Sequence, residues 1–157
     1  MFLMEGGTII ESVKDAIAVA AIIIESAEKE LAWLVPAPSL AIAAKYNLRE
    51  KSKVLMQNGG RIRGITSISS PYVDAVRKLV YAGEEVRNVQ NYSGVFMLVG
   101  DKNQSISSIN VTAEDLSLED RINAFWTDNP GYVEYLLSIF ENLWQEATDA
   151  RNVLSES

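Results

Sequence analysis

Val95-Phe96-Met97-Leu98-Val99 is apolar at every position, where a strand with one wet face would alternate. Such a run is stable in water when both of its faces are covered. Gly100-Asp101-Lys102-Asn103 then supplies turn residues, and Gln104 to Ile109 returns as the partner strand of a hairpin. A hairpin covered on both sides requires apolar helices above and below its sheet, and the chain contains them. Ile9, Val13, Ile17, Ala20, Ala21 and Ile24 recur at helical spacing behind a Thr8-x-x-Glu11 capping box, which predicts a first helix from Thr8 to about Lys29. Val133, Leu136, Leu137, Phe140, Leu143, Trp144 and Ala147 form a wide stripe on a last helix, started by the Asn129-Pro130 cap.

Between these helices the pattern alternates. Glu30 to Pro36 reads as a strand stopped by Pro36 and Pro38. Ser39 caps a second helix carrying Leu40, Ala44, Leu48, Lys51 and Leu55 on one side, and Asn58-Gly59-Gly60 ends it. Arg61 to Ile68 reads as a strand, and Ser70-Pro71 opens a third helix that Gly83 closes. Glu85 to Val89 and Arg121 to Thr127 are further strands, with a polar loop over 110–120. The order α-β-α-β-α-β-β-β-α predicts an α/β fold: a mixed, mostly parallel sheet flanked by helices, its first three strands parallel and the hairpin antiparallel. The 157 residues suit a single domain, with 1–29 as an N-terminal helix packed on an α/β domain over 30–152.

Composition excludes whole classes of chemistry. The chain has no cysteine and no histidine. Disulfides, thiolate nucleophiles, Cys/His zinc sites, haem histidines and imidazole bases are all ruled out. Asp115, Glu119 and Asp120 lack a calcium-loop pattern, so no metal and no cofactor are expected. Acids outnumber bases, giving a net charge of −7. Charge is unevenly spread: Lys45, Arg49, Lys51, Lys53, Arg61 and Arg63 face Glu50 alone within 45–63, whereas 112–157 is strongly acidic. Whether these segments meet within one chain is open at this point. An acidic protein is not drawn to nucleic acid by its long-range field, so no direct nucleic-acid binding is expected. The longest apolar run, Ala16 to Ile24, is far shorter than the about 20 residues of a spanning helix, and Glu5 stands where a signal peptide would be basic. A cytoplasmic protein without membrane contact is expected.

The order of elements and several short motifs resemble one half of the phospholipase D superfamily fold. The similarity is greatest to its non-catalytic version, the effector-sensing domain of TrmB-type archaeal regulators, over about residues 30–150. Arg63-Gly64-Ile65 resembles that family's R-G-V, and Ala82-Gly83-Glu84-Glu85-Val86-Arg87 its A-G-V-E-V-R turn. Ala124 to Asn129 resembles the strand end W-T-x-N, and Phe140-Glu141-Asn142-Leu143-Trp144 the closing helix F-E-x-L-W. Catalytic members carry H-x-K-x4-D. With Asp101 on the motif's aspartate, Gly94 stands at the histidine and Phe96 at the lysine, and G-S-x-N is reduced to Ser107-Ser108-Ile109-Asn110. The resemblance implies a pseudo-enzyme, since neither Gly94 nor Phe96 supplies a nucleophile or a charge.

The candidate ligand-binding residues are Arg63, Arg87, Asp101, Trp126 and Asn129. Asp101 ends a covered strand, where ligand sites of open α/β sheets collect, although its residue type also suits a hairpin turn. Trp126 and Asn129 flank the start of the last helix, whose free N–H groups attract anions, although Asn129 also suits a cap and Trp126 a core position. Arginine suits bidentate capture of carboxylate or phosphate, although Arg61, Arg63 and Arg87 also suit salt bridges at the sheet edge. Adjacent Glu84 and Glu85 cannot share one face of a strand, and Ser93 has no base at a useful spacing. The expected function is a non-catalytic sensory or regulatory domain, in signalling or transcription control. It would bind a small ligand or a regulatory protein at the carboxyl ends of the parallel strands, and self-associate as a homodimer. Alternatives are an architectural subunit without ligand, a hydrolase built on Asp101 with Lys102 or Arg87, and a nucleic-acid binder built on 45–63.

Overall fold

The computed structural model describes residues 3–92, 94–108 and 117–155. Most of the polar 110–120 segment, with Asn110 and Asp115, lies outside the described residues, as does Ser93. The elements run β1 (Thr8–Ser12), α1 (Val13–Ser26), β2 (Glu30–Leu34), α2 (Pro38–Lys45), α3 (Leu48–Gln57), β3 (Arg61–Thr66), a 3-10 turn (Ser70–Tyr72), α4 (Val73–Tyr81), β4 (Glu85–Asn88), β5 (Phe96–Gly100), β6 (Gln104–Ser108), β7 (Arg121–Thr127), α5 (Pro130–Glu146), β8 (Thr148–Asp149) and α6 (Ala150–Leu154). The eight described strands form one sheet in the order β1-β7-β6-β5-β2-β3-β4-β8.

β5 is apolar throughout because its two faces lie in two different cores. On one face, Val19, Ala20, Ile23 and Ile24 of α1 pack on Leu31, Ile62, Leu98 and Ile106. On the other, Val133, Leu136, Phe140 and Trp144 of α5 pack on Leu34, Ile65, Met97 and Val99. A third cluster joins Val76 of α4 and Leu154 of α6 to Val35, Leu40 and Val86. Each fully buried side chain of this size contributes about 1.5–3 kcal/mol. Asn129 Oδ1 accepts the Tyr132 N–H at 3.1 Å and caps α5, with Pro130 at its first turn.

Three expectations are corrected. The chain does not enter its first helix at Thr8. Residues 8–12 form an edge strand antiparallel to β7, burying Ile10 and leaving Ile9 exposed. Thr-Ile-Ile is a β-branched run that suits a pleated surface. Helix α1 is instead capped by Ser12, whose Oγ accepts the Asp15 N–H at 3.1 Å. The second helix is two helices, because Asn47 takes a left-handed conformation at φ 60 between α2 and α3, which asparagine tolerates better than most residues. The sheet is mixed, but mostly antiparallel rather than mostly parallel. The pairs β2–β3 and β3–β4 are parallel, as expected, and every other described pair is antiparallel. β8 and α6 were not anticipated; β8 pairs with the free edge of β4.

Gly64 shows how closely the layers meet. A Cβ there would stand 1.9 Å from Cε2 of Trp33 on the neighbouring strand. The indole lies flat where any other residue would carry a side chain.

Candidate functional site

The direction of β5 decides which residues share an edge of the sheet. β5 runs antiparallel to β2, pairing Gly100 with Leu31 and Met97 with Leu34. Asp101 therefore sits at the amino ends of the parallel strands, the edge opposite their carboxyl ends. Its carboxylate accepts the backbone N–H groups of Glu28, Lys29 and Glu30, each at 2.8 Å. Burial raises its pKa, but these three donors and nearby Lys29 outweigh that, and the carboxyl titrates below its ordinary value. Asp101 thus ties the α1–β2 connection to the hairpin turn, where it and Lys102 both have positive φ.

Trp126 and Asn129 lie toward the same edge as Asp101. Trp126 is buried in the α1-side core, and its Nε1 donates to Gln104 Oε1 at 3.1 Å. Asn129 uses its side-chain oxygen as the α5 cap, and its own N–H donates to Thr127 Oγ1 at 3.0 Å.

Arg63 and Arg87 project instead onto α5. Arg63 bonds Glu141 through both terminal nitrogens. Its guanidinium carbon lies 4.9 Å from the centre of the Phe140 ring and 5.3 Å from that of Trp144. Arg87 donates to the Trp144 carbonyl at 2.6 Å and lies 4.1 Å from the centre of its ring. Phe140 and Trp144 stack at 5.6 Å. The hydrogen bond from Arg63 holds the Glu141 carboxyl below its ordinary value, against the opposing effect of burial. The two arginines fasten the closing helix to β3 and β4 through charge-assisted bonds and cation–π contacts.

The five candidates consequently divide into two groups on different parts of the sheet and do not converge. The basic 45–63 segment is likewise dispersed: Lys51 pairs with Glu25, Lys53 with Glu50, and Arg61 with Glu85. The Arg63–Glu141 pair joins the basic segment to the acidic tail within one chain.

The carboxyl ends of β3 and β4 carry a cleft of ≈ 710 Å³, lined among others by Ser67, Ser69, Asn88, Gln90, Asn91 and Tyr92. None of the five candidates lines it. Its walls are stitched together: Asn88 Oδ1 accepts the Ile68 N–H at 2.7 Å, and Ser67 joins the Val89 carbonyl to the Tyr92 N–H. Burial pushes the Tyr92 phenol up to about 12, so it stays neutral, and it donates to the Val95 carbonyl. Among the described residues no Asp, Glu, Lys or Arg lines the cleft. It offers hydroxyls, amides and tyrosine rings, a set that recognises a ligand by hydrogen bonding. No cluster of acidic side chains placed to hold a metal ion occurs among the described residues. Sequence reasoning missed Ser69, Gln90 and Asn91 because isolated polar residues in loops carry no pattern.

Of the positions that match the phospholipase D motif, Gly94 and Phe96 lie toward this edge, whereas Asp101 lies at the opposite one. A side chain at Gly94 would have its Cβ 2.9 Å from atoms of the Tyr92 ring. Phe96 turns inward and packs against the α1-side core.

No family model matches the chain. No curated protein matches it either. Solved structures do. TrmBL2, an archaeal chromatin protein described as showing a novel mode of DNA binding, superposes with a TM-score of 0.70 at 15% identity over 93% of this chain and 55% of its own. The chain thus spans about half the length of TrmBL2. Nuc, a phospholipase D family member from Salmonella typhimurium, matches at a TM-score of 0.68 and 12% identity over 91% of this chain and 96% of its own. NucT from Helicobacter pylori matches at 0.71 and 9% identity over 91% and 98%. The first of these overturns the expectation of no direct nucleic-acid binding, and with it the partner assignment, because the same fold occurs in a DNA-binding protein. Among the described residues no helix is long and apolar enough to cross a membrane. The chain has the phospholipase D-like fold, and its structural neighbours include both a phospholipase D family member and an archaeal chromatin protein.

Proposed function

We propose that this chain is a non-catalytic phospholipase D-like domain of a regulatory protein, and that it binds an uncharged, hydroxyl-bearing small molecule in the cleft at the carboxyl ends of β3 and β4. The observation that carries the reading is the lining of that cleft: hydroxyl and amide groups with tyrosine rings beside apolar Ala37, Pro38, Ile68 and Val153, and no charged side chain among the described residues. Among the described residues an anionic substrate finds no cation there, and a hydrolytic water finds no base. The absence of histidine removes the nucleophile that the family's phosphodiester chemistry uses. A volume of ≈ 710 Å³ suits a ligand of drug or metabolite size.

A thermal-shift panel of monosaccharides, nucleosides and carboxylates tests this reading. The expected result is stabilisation by a neutral polyhydroxyl compound that is lost in Gln90→Lys. A uniformly flat panel overturns the ligand, and turnover of a phosphodiester by the purified protein overturns the non-catalytic assignment. The likeness to TrmBL2 favours a second reading, in which the domain itself contacts DNA. A mobility shift that weakens steeply with salt supports it, and no shift at low salt removes it.

A further inference from the structure

A second recess lies on the α1 side of the sheet, under α1–α3. Two adjoining cavities of ≈ 110 and ≈ 80 Å³ share Ala20, Ser39, Ala43, Leu48 and Phe96 as walls. The charged residues in this apolar lining are Arg49 and Glu84, both on the larger cavity. Glu84 is 6% exposed, and its Oε1 accepts the Trp33 Nε1–H at 2.8 Å. Arg49 spends one terminal nitrogen on the Lys78 carbonyl at 2.9 Å, while its Nε is buried with no partner. A buried donor without an acceptor is uncommon and calls for a reason. Empty apolar cavities of about 150 Å³ take up small apolar molecules, and the paired cavities are of that order.

We propose that this recess binds a small monocarboxylate with an unbranched apolar tail, the tail filling the paired cavities and the carboxylate accepting the Arg49 Nε–H beside Glu84. The unpartnered donor selects an acceptor, and the guanidinium selects against an amine. Burial pushes the Glu84 carboxyl up to about 7, against the Trp33 bond and the Arg49 charge. Near neutral pH it therefore takes a proton readily and meets the ligand as a neutral acid rather than as a repelling anion. Phe96 has a part in the site: at the position matching the motif's lysine, its ring walls both cavities. The proposal does not depend on the cleft at β3 and β4, which among the described residues shares no lining residue with this recess.

The test is a titration of the ¹⁵N-labelled full chain with hexanoate and, as uncharged counterpart, 1-hexanol. The indole signal of Trp33, identified through Trp33→Phe, is the readout. The expected result is a saturable shift with hexanoate at least tenfold tighter than with 1-hexanol. Ala43→Leu should block both probes by filling the recess. Arg49→Met should abolish the preference for hexanoate, with 1-hexanol binding reporting that the fold is intact. The wild-type comparison needs no variant: no Trp33 shift with hexanoate, or equal affinities for the two probes, overturns the proposal. So does a shift that Ala43→Leu leaves unchanged.

Discussion

Replacing Glu84 by glutamine should remove one identifiable part of the protein's pH dependence. The carboxyl is 6% exposed, and burial moves its pKa from 4.5 to about 7. Between these values the folded state holds this proton more tightly than the unfolded chain does. Stability from this group is therefore fully present below pH 4.5 and declines as pH rises through about 7. A shift of this size corresponds to roughly 3 kcal/mol at most. Glutamine cannot ionise, but it keeps an oxygen that can accept the Trp33 Nε1–H. Urea denaturation of both proteins from pH 4.5 to 8 gives the difference between them, which should move in favour of Glu84→Gln by about 3 kcal/mol across that range. Glu85, Asp101, Glu141 and Asp149 have lowered pKa values and lose their contributions as pH falls, but they do so in both proteins and cancel. A difference constant to within about 0.5 kcal/mol over the whole range would refute the assignment of a burial-raised acid.

Three further outcomes follow from the packing. Asp101→Ala should cost about 2 kcal/mol at pH 7, because three backbone N–H groups lose their charged acceptor; the deficit should shrink as pH falls below 3.8, where the unfolded chain takes up a proton that the native carboxylate, with its lowered pKa, still resists, as paired denaturation curves at pH 7 and pH 3 will show. Gly64→Ala should cost about 1–3 kcal/mol by overpacking against the Trp33 indole, and Trp33→Leu in the same chain should recover part of that loss in a double-mutant cycle. A cycle on Arg63 and Glu141 should give a coupling of about 1 kcal/mol that weakens in high salt, since Glu141 is partly exposed.

The central hairpin was legible because its apolar run admits one explanation, burial on both faces, and the two cores supply it. The last helix was legible because Asn129-Pro130 is a local cap and its stripe spans several turns. β3, α4 and β4 were bounded by Gly60, Ser70-Pro71 and Gly83, whose conformational preferences act without distant partners. The N-terminus misled because Ile9 and Val13 fit a helical period, while the pairing that makes residues 8–12 a strand comes from β7, more than a hundred residues away. β8 depends in the same way on the free edge of β4.

Local chemistry in the sequence thus sufficed for the α/β class, the antiparallel hairpin, the parallel β2–β3–β4 unit and the absence of any histidine or cysteine. These depend on periodicity, on capping and on which side-chain types exist. Strand direction is a different kind of property, because it depends on which edges meet when the layers close. β5 descends beside β2, so Asp101 lies at the edge opposite the cleft and serves as a backbone cap. The same closure buries Glu84 against Trp33 while its neighbour Glu85 pairs with Arg61 at the surface. Two adjacent glutamates become chemically unlike through burial alone, which exists only once the chain is folded.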